Sequence, residues 1–375
     1  MNFSTIISFV FKILNRILPI RNIIVFESLP DMADNTKEVF DELVRRGFNK
    51  KYKMVWLVNK KDSSLPKIHN VHYVLNSSKI RHLYRITGKC FICCNQWLDK
   101  SRDKQTSFYL SHGTPIKSVS SYYPMPDGID YCISAGEDVI PLYVSEFHAK
   151  ADKTYPLGFP RNDALTNADI DIKSLFPELT FEKAVVWYPT YRQHKNGFSV
   201  SADMLPIISD EETAIQLNKT AAENKILIVL KPHFQQDVQY VKKLNLSNLI
   251  FIDDEFFTKN NISSYEFVGS CDSLITDYSS IYYDYTLCDK PIALIWQDYE
   301  EYKKNPGFAP GAEKYLAGGE KIYTLDQLQS FLVNIANHVD ILKNERNAIC
   351  KMVNASTDGQ NTQRVVDFII DKANL

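Results

Sequence analysis

Short apolar runs alternate with helix-like segments along most of the chain. The first series of such runs covers 22–26, 54–58, 71–75, 90–94, 107–110 and 131–134. Between them, apolar residues recur at helical spacing in 35–46 and again in 80–86. Strands that alternate with helices predict a parallel sheet with helices on both faces, which is a doubly wound α/β domain.

A second series of strand-like runs follows a break near 165–182. Its members are 183–188, 225–230, 249–252, 273–276 and 291–295. The length of 375 residues also fits two domains better than one. We therefore predict a helix in 1–20, an N-terminal domain in 21–172, a C-terminal domain in 173–350 and a last helix in 351–375. Ligands of such folds bind beyond the carboxyl ends of the strands, so a cleft between the two domains is the expected site.

The overall charge is nearly balanced, and this excludes one class of partner. The chain has 43 basic and 45 acidic residues, a net charge of −2 and 45% hydrophobic residues. A protein that binds nucleic acid through bulk electrostatics needs a basic excess, so no nucleic-acid partner is expected. Any anionic ligand must be held by local groups.

The seven cysteines indicate reduced thiols. Their number is odd, and most of them lie in or near apolar runs. This pattern is typical of a reducing compartment rather than of a disulfide framework. Cys90 and Cys93 have the spacing of a zinc or redox pair, but no second pair completes such a site. We predict no metal site.

The first 20 residues predict an amphipathic helix. In 3–18, apolar residues occupy one helical face, and Lys12 and Arg16 lie on the other. A membrane-spanning helix needs about 20 apolar residues, and the two cations interrupt this one. No basic leader region or small-residue cleavage site indicates a signal peptide. Two alternatives remain, a helix on an anionic membrane surface and a helix that caps the first domain.

Polar residues of unusual type follow the run 107–110. They are His112, Gly113, Thr114 and Lys117. Gly113 permits a tight turn and leaves His112 at a strand exit, where a neutral imidazole can accept a proton at physiological pH. The structural alternative is a histidine that only bonds a loop carbonyl. The neighbouring threonine and lysine favour the functional interpretation.

A second turn of the first domain, 157–163, presents Arg161 and Asp163. An arginine beside glycine and proline is suited to clamping a phosphate or a carboxylate. A plain surface turn is the alternative interpretation.

Three strand ends of the second domain add cations, an imidazole and hydroxyls. The residues concerned are Thr190 and Arg192, then Lys231 and His233, then Thr276, Asp277, Ser279, Ser280 and Asp284. Asp277 can cap the helix that follows, and Ser279 and Ser280 then lie in its first turn. A helix start with free N–H groups and hydroxyls can bind a diphosphate. A capped helix without a ligand is the structural alternative.

Together these groups predict a site for a phosphate-bearing donor. Two histidines, several cations and a hydroxyl-rich helix start all follow strands. The sequence has no Walker-type GxxxxGK(S/T), no GxGxxG before the first helix and no obvious Asp-x-Asp metal site. Arginine, lysine, histidine and helix dipoles must then meet the phosphate charge.

The five motifs, in their order and spacing, resemble the CDP-glycerol:poly(glycerophosphate) glycerophosphotransferase family over roughly 22–300. The resemblance implies a GT-B-like α/β fold of two Rossmann-type domains, the first for the acceptor and the second for a CDP-linked donor. It implies transfer of a polyol phosphate from CDP-glycerol, or from CDP-ribitol, to a hydroxyl of a lipid-linked or polymeric cell-envelope glycan, with release of CMP. Such an enzyme is expected in the cytoplasm, peripheral on the inner face of the cell membrane, without a tightly bound cofactor.

The resemblance also implies roles for individual residues. His112 is implied as the general base for the acceptor hydroxyl, and His233 as a second essential imidazole near the donor phosphates. The groups implied at the donor diphosphate are Arg161, Arg192, Lys231, Thr276, Asp277, Ser279 and Ser280. Those implied at the acceptor, or in support of the site, are Gly113, Thr114, Lys117, Asp163 and Asp284.

The chain departs from the family pattern in three places. Ser111 stands where an aromatic residue is usual, the proline of 231–233 precedes the histidine, and 305–320 differs from the expected donor-side loop. Glycerol is the favoured polyol, and ribitol remains open. A GT-B glycosyltransferase that uses a nucleotide sugar is the rival activity. A non-catalytic scaffold in a polymer-assembly complex is the remaining alternative.

Overall fold

The computed structural model describes residues 15–63, 65–120, 124–190, 205–232 and 239–375. The chain divides into two compact units. The first comprises Met1–His112, Tyr123–Asp163 and Gln360–Leu375, and the second comprises Gly113–Tyr122 and Ala164–Gly359. The predicted division lay after 172 and gave 351–375 to a separate helix. Most of the predicted helix in 1–20 lies outside the described residues, of which 15–17 are helical.

The described part of the first unit contains a seven-stranded parallel sheet. Its strands are β1 (Ile23–Glu27), β2 (Lys53–Val58), β3 (Val71–Leu75), β4 (Cys90–Cys93), β5 (Thr106–Tyr109), β6 (Tyr131–Ser134) and β7 (Thr154–Pro156). They lie in the order β3-β2-β1-β4-β5-β6-β7, and neighbouring strands are parallel. The strand order reverses between β1 and β4, so the carboxyl ends of this pair form the topological switch point where doubly wound sheets bind ligands.

The described part of the second unit contains a six-stranded parallel sheet. Its strands are β8 (Lys183–Trp187), β9 (Ile226–Leu230), β10 (Leu249–Phe251), β11 (Ser273–Thr276), β12 (Ile292–Ile295) and β13 (Glu320–Ile322). They lie in the order β10-β9-β8-β11-β12-β13. The order reverses between β8 and β11, which form the second switch point.

Helices connect and cover the strands of both sheets. In chain order they are α1 (Asp34–Arg45), α2 (Ile80–Thr87), α3 (Ile140–Phe147), α4 (Asn162–Thr166), α5 (Ile172–Leu175), α6 (Glu211–Glu223), α7 (Gln239–Lys242), α8 (Asp254–Asn260), α9 (Ser264–Ser270), α10 (Ile281–Tyr285), α11 (Tyr299–Lys304), α12 (Leu325–Ala336), α13 (Lys343–Val353) and α14 (Asn361–Ala373). Short 3-10 turns occur at Phe48–Lys50, Ala151–Lys153, Thr286–Cys288 and Ala312–Leu316.

The core of the first unit lies between its sheet and the helices α1 and α14. The ring centroids of Phe26, Phe40 and Trp56 are 5.3 to 5.5 Å apart. Val366 and Ile369 of α14 belong to the same buried cluster. Burial of each such side chain stabilises the fold by about 1.5–3 kcal/mol, so the last helix is part of this core.

Asp163 holds the start of that last helix. Its two carboxylate oxygens accept hydrogen bonds from the backbone N–H groups of Asn361 and Thr362, at 2.8 and 2.7 Å. A carboxylate at a helix N-terminus satisfies free N–H groups and complements the helix dipole. The side chain is therefore occupied by a structural contact within the first unit.

The predicted fold class, an α/β protein with two doubly wound parallel sheets, is confirmed. All seven cysteines are free thiols, and burial raises the pKa of Cys132 to about 12. Within the described residues, no helix combines the length and the apolar character that are needed to cross a membrane.

Candidate active site

The first switch region places His112 beside the ends of two strands. Its Nδ1 atom lies 3.2 Å from the carbonyl oxygen of Cys94, directly after β4, and 3.4 Å from the hydroxyl of Tyr109 in β5. Because a carbonyl oxygen can only accept, this contact assigns the proton of the neutral ring to Nδ1. The lone pair is then on Nε2, which is the atom that can take a proton from a substrate.

The surroundings of His112 favour the neutral ring. The side chain is exposed, and the protein atoms on its inner side remove part of its hydration, which lowers the pKa of the imidazole. The charge of Asp34 opposes this effect and raises the pKa, whereas that of Arg161 lowers it. A neutral imidazole at physiological pH is the form that a general base requires.

A buried ion pair and an asparagine hold the backbone around this histidine. Arg161 Nη1 lies 2.9 Å from Asp34 Oδ1, and the two side chains are only 9% and 14% exposed. Asn35 donates from Nδ2 to the carbonyl oxygen of Ser111 at 2.8 Å, and its Oδ1 accepts from the backbone N–H of Arg161 at 3.0 Å. Asn35 therefore ties the turn before His112 to the turn before α4.

Sequence reasoning identified Arg161 as a site residue, but it missed Asp34 and Asn35. The available signal was their position, because they are the first two residues of α1, the helix that follows β1. Asp34 has a left-handed φ of 61°, a conformation that aspartate and asparagine adopt more readily than most residues. An unusual turn between a first strand and its helix was thus the feature to follow.

The second switch region is organised around the carboxylate of Asp277, which is 1% exposed. Its oxygens accept from the backbone N–H of Thr190, at 2.9 and 3.0 Å, and from the hydroxyl of the same residue. Oδ1 also accepts from the N–H of Tyr278 at 2.6 Å. Next to it, the hydroxyl of Thr276 donates to the carbonyl oxygen of Tyr188 at 2.8 Å. The end of β11 is therefore bonded to the loop after β8.

The prediction that Asp277 caps the following helix is wrong. α10 begins at Ile281, and Ser280 is the residue before it. The carboxylate of Asp277 is instead used by donors from the neighbouring strand end. Ser279 and Ser280, both half-buried, precede the first helical turn rather than lie within it.

Lys231 also lies at the second switch region, directly after β9. Its Nζ atom is 2.9 Å from Asp254 Oδ1 and 5.8 Å from the ring centroid of Tyr188. The described residues therefore bring Lys231, Thr276 and Asp277 to one edge of the sheet. The predicted site residues Arg192 and His233 lie outside the described residues.

The remaining predicted residues have mainly structural contacts. Asp284 is fully buried and accepts from the hydroxyl of Tyr265 at 2.8 Å. Gly113 has a φ of 140°, which side chains disfavour. Thr114 is buried, and its hydroxyl has no hydrogen-bond partner among the described residues. Lys117 forms a β-bridge within the second unit. The predicted place of these residues in an acceptor site stays a prediction.

Among the described residues, no group of three histidine, cysteine, aspartate or glutamate side chains lies close enough together to hold a metal ion.

Two doubly wound sheets with polar side chains at both switch points are typical of enzymes that act on nucleotide-linked substrates. A family model described as CDP-Glycerol:Poly(glycerophosphate) glycerophosphotransferase matches residues 10–371. The chain belongs to this family and is an enzyme of the glycerophosphotransferase type.

Two curated relatives and one solved structure are similar to the chain. A teichoic acid glycerol-phosphate transferase of Staphylococcus aureus (strain NCTC 8325 / PS 47) is 25% identical over 96% of this chain and 95% of the relative. A teichoic acid ribitol-phosphate primase of Bacillus spizizenii is 23% identical over 68% of this chain and 62% of the relative. The structure of the wall teichoic acid polymerase TagF has a TM-score of 0.75 at 20% identity and covers 97% of this chain and 92% of that chain. This last similarity concerns the fold.

Proposed function

We propose that this enzyme transfers glycerol phosphate from CDP-glycerol to a hydroxyl of a lipid-linked or polymeric cell-envelope acceptor and releases CMP. The description of the family names this donor, and the first relative is a glycerol-phosphate transferase. The observation that carries the proposal is the geometry of His112, whose Nδ1–H is held by the carbonyl of Cys94. This contact leaves Nε2 as the proton acceptor.

In the proposed reaction, Nε2 of His112 takes the proton of the acceptor hydroxyl. The acceptor oxygen attacks the phosphorus that carries glycerol, and the bond from this phosphorus to the bridging oxygen breaks. CMP leaves with the bridging oxygen. Protonation creates an imidazolium, which the nearby Asp34 favours and Arg161 disfavours. Orientation and charge neutralisation contribute most of the rate in phosphoryl transfer.

The donor diphosphate is proposed to bind at the second switch region. Lys231 supplies a cation there, and Ser279 and Ser280 supply half-buried hydroxyls and backbone groups. Asp277 acts by fixing the loop that carries Thr190, because its carboxylate accepts from Thr190 and Tyr278. Arg192 and His233 are proposed as further phosphate ligands on the basis of their motifs. Arg161 is proposed as well, although its guanidinium is paired with Asp34.

We propose a peripheral location on the inner face of the cell membrane. Ile17, Ile80 and Leu83 are 70%, 55% and 47% exposed in the first unit, and Lys79 and Arg81 flank Ile80 in the sequence. Exposed apolar side chains beside cations suit the surface of an anionic bilayer. Flotation with vesicles of anionic phospholipid tests this location, and failure of the full chain to float would refute it.

Ribitol phosphate is the second candidate unit, because one relative is a ribitol-phosphate primase. The chemistry at phosphorus is the same for both donors, so the choice depends on groups that contact the polyol. The segment 305–320, which departs from the family pattern, is the region to compare.

The direct test is the release of CMP by the purified full chain. CDP-glycerol, CDP-ribitol and a panel of nucleotide sugars are each incubated with and without a lipid-linked acceptor. We expect acceptor-dependent release of CMP from CDP-glycerol and little from the other donors. Turnover of a nucleotide sugar, with none of either CDP-polyol, would replace the proposal with a glycosyltransferase.

A further inference from the structure

The segment that follows His112, Gly113–Tyr122, belongs to the second unit. Lys117 forms an antiparallel bridge with Phe308. On the two sides of this bridge, backbone N–H groups donate to carbonyl oxygens at 2.9 and 3.1 Å, from Ala309 to Ile116 and from Ser118 to Gly307. A two-bond ladder therefore fixes 116–118, which begins four positions after the histidine.

Phe308 packs among four other aromatic rings. Its ring centroid lies 5.3 Å from that of Tyr302, 5.9 Å from those of Tyr278 and Tyr299, and 6.5 Å from that of Trp296. Tyr278 and Tyr302 are themselves stacked, with centroids 3.6 Å apart and planes at 12°. Aromatic pairs at these distances stabilise a loop beyond the burial of their area, so these rings anchor the loop that carries Phe308.

The aromatic anchor is continuous with the second switch region. Tyr278 is fully buried and stands between Asp277 and Ser279. Its N–H donates to Asp277 at 2.6 Å, and its hydroxyl donates to Asp298 at 2.9 Å. Phe308 therefore packs against a residue whose backbone and side chain are both fixed by the strand ends of the second sheet.

We propose that Phe308 is a positioning residue for His112. It packs against Tyr278 and pairs with Lys117, and it thereby fixes the backbone of 116–118, to which His112 is joined through three residues. This inference rests on the proposed function. It gives the loop 305–311 a role in catalysis that requires no contact with either substrate.

The test compares Phe308→Ala and Phe308→Tyr with Phe368→Ala as the control. Phe368 is also half-buried and packs against three rings at 4.6 to 6.2 Å, but it belongs to the first unit. Acceptor-dependent CMP release gives kcat, and calorimetry with CDP-glycerol alone gives the donor Kd. Hydrogen exchange of a peptide covering 113–120 reports the ladder directly, without any need for activity.

We expect kcat of Phe308→Ala to fall about tenfold to a hundredfold, as small displacements of a catalytic group do, while the donor Kd stays within about threefold. Exchange in 113–120 should become faster, Phe308→Tyr should retain activity, and Phe368→Ala should change neither kcat nor this exchange. Unchanged kcat in Phe308→Ala would overturn the inference, as would a parallel loss of donor affinity. If Phe308→Ala does not fold, Phe308→Leu, which keeps an apolar side chain of similar size, serves the same comparison. Inactivity of the wild type towards CDP-glycerol would instead refute the proposed function.

Discussion

The two switch regions use their polar groups in different ways. The first collects a histidine and an ion pair, Asp34 with Arg161, around the buried side chain of Asn35. In the second, the buried carboxylate of Asp277 accepts hydrogen bonds from Thr190 and Tyr278. The first region therefore leaves a titratable side chain, that of His112, open to solvent. The second region uses the charge of Asp277 to fix the backbone around it.

The switch point of a doubly wound sheet is thus specialised in two ways in this chain. An exposed imidazole with a lowered pKa suits proton transfer. A buried carboxylate that accepts from backbone and hydroxyl donors suits a binding surface, because it orients neighbouring hydroxyl and amide groups without itself contacting a phosphate. We therefore expect mutations in the first region to affect mainly kcat, and those in the second to affect mainly donor affinity.

The largest effect is expected for His112→Ala. Removal of a general base lowers the rate by about 100-fold to 10,000-fold, whereas the donor Kd should change little. Initial rates of CMP release and calorimetry with CDP-glycerol measure the two quantities. His148→Asn is the control, since His148 is an exposed histidine of the same unit with a left-handed φ of 54° that asparagine tolerates. Equal activity of His112→Ala and the control would contradict the assignment of proton transfer to the first region.

The next largest effect is expected for Asp277→Asn. The amide nitrogen cannot accept, so donors from Thr190 or Tyr278 lose their partner, at a cost of about 1–3 kcal/mol in the free energy of unfolding. Distortion of the loop should weaken donor binding more than it lowers kcat. Urea unfolding and calorimetry with CDP-glycerol provide the measurements.

Asp272→Asn is the matched control for this change. Asp272 accepts from the N–H of Ala184 at 2.8 Å and pairs with Lys183 at 2.9 Å, at the amino ends of the strands β8 and β11. Loss of the Asp272 carboxylate should lower the free energy of unfolding by less than Asp277→Asn does, because the side chain of Asp272 is 34% exposed. It should leave the donor Kd unchanged. A parallel weakening of donor binding in both variants would show that Asp277 acts only through global stability.

The sequence was sufficient to predict most of both sheets, because parallel strands covered on both faces must be continuous apolar runs. All five residues of β9 are buried, for example. The edge strands β7 and β13 were missed. Their sequences are Thr-Tyr-Pro and Glu-Lys-Ile, so neither shows the apolar run that predicted the equally short edge strand β10, Leu-Ile-Phe.

The site was predictable where its signal was local. His112 was identified because glycine, threonine and proline follow it at a strand end. The contact from Asn35 to Ser111 spans 76 positions, and that from Thr190 to Asp277 spans 87. From local sequence alone, Asp277 before a helix predicts a helix cap. In the folded chain its carboxylate instead accepts from Thr190, which follows a strand that is distant in the sequence.

A smaller effect is expected for Asn35→Ala. The change removes the donor to Ser111 and the acceptor for Arg161, and each unsatisfied buried group costs about 1–3 kcal/mol in the free energy of unfolding. Because the turn before His112 loses its support, kcat should also fall by about tenfold. Thr36→Val is the control, since Thr36 is a buried neighbour whose hydroxyl donates to the carbonyl of Glu27 at 3.3 Å. Loss of stability without loss of kcat in both variants would remove Asn35 from the set of positioning residues.

The smallest effect is expected in the pH dependence of kcat/KM. The activity requires neutral His112, so it should fall as the pH decreases through the pKa of this ring, which desolvation holds below the ordinary histidine value of about 6.5. Asp34 raises this pKa and Arg161 lowers it. Asp34→Asn should therefore shift the acidic limb of the profile to lower pH, and Arg161→Gln should shift it to higher pH. Shifts in the same direction would mean that another group controls the limb, and the distinction between a titrating first region and a non-titrating second region would fail.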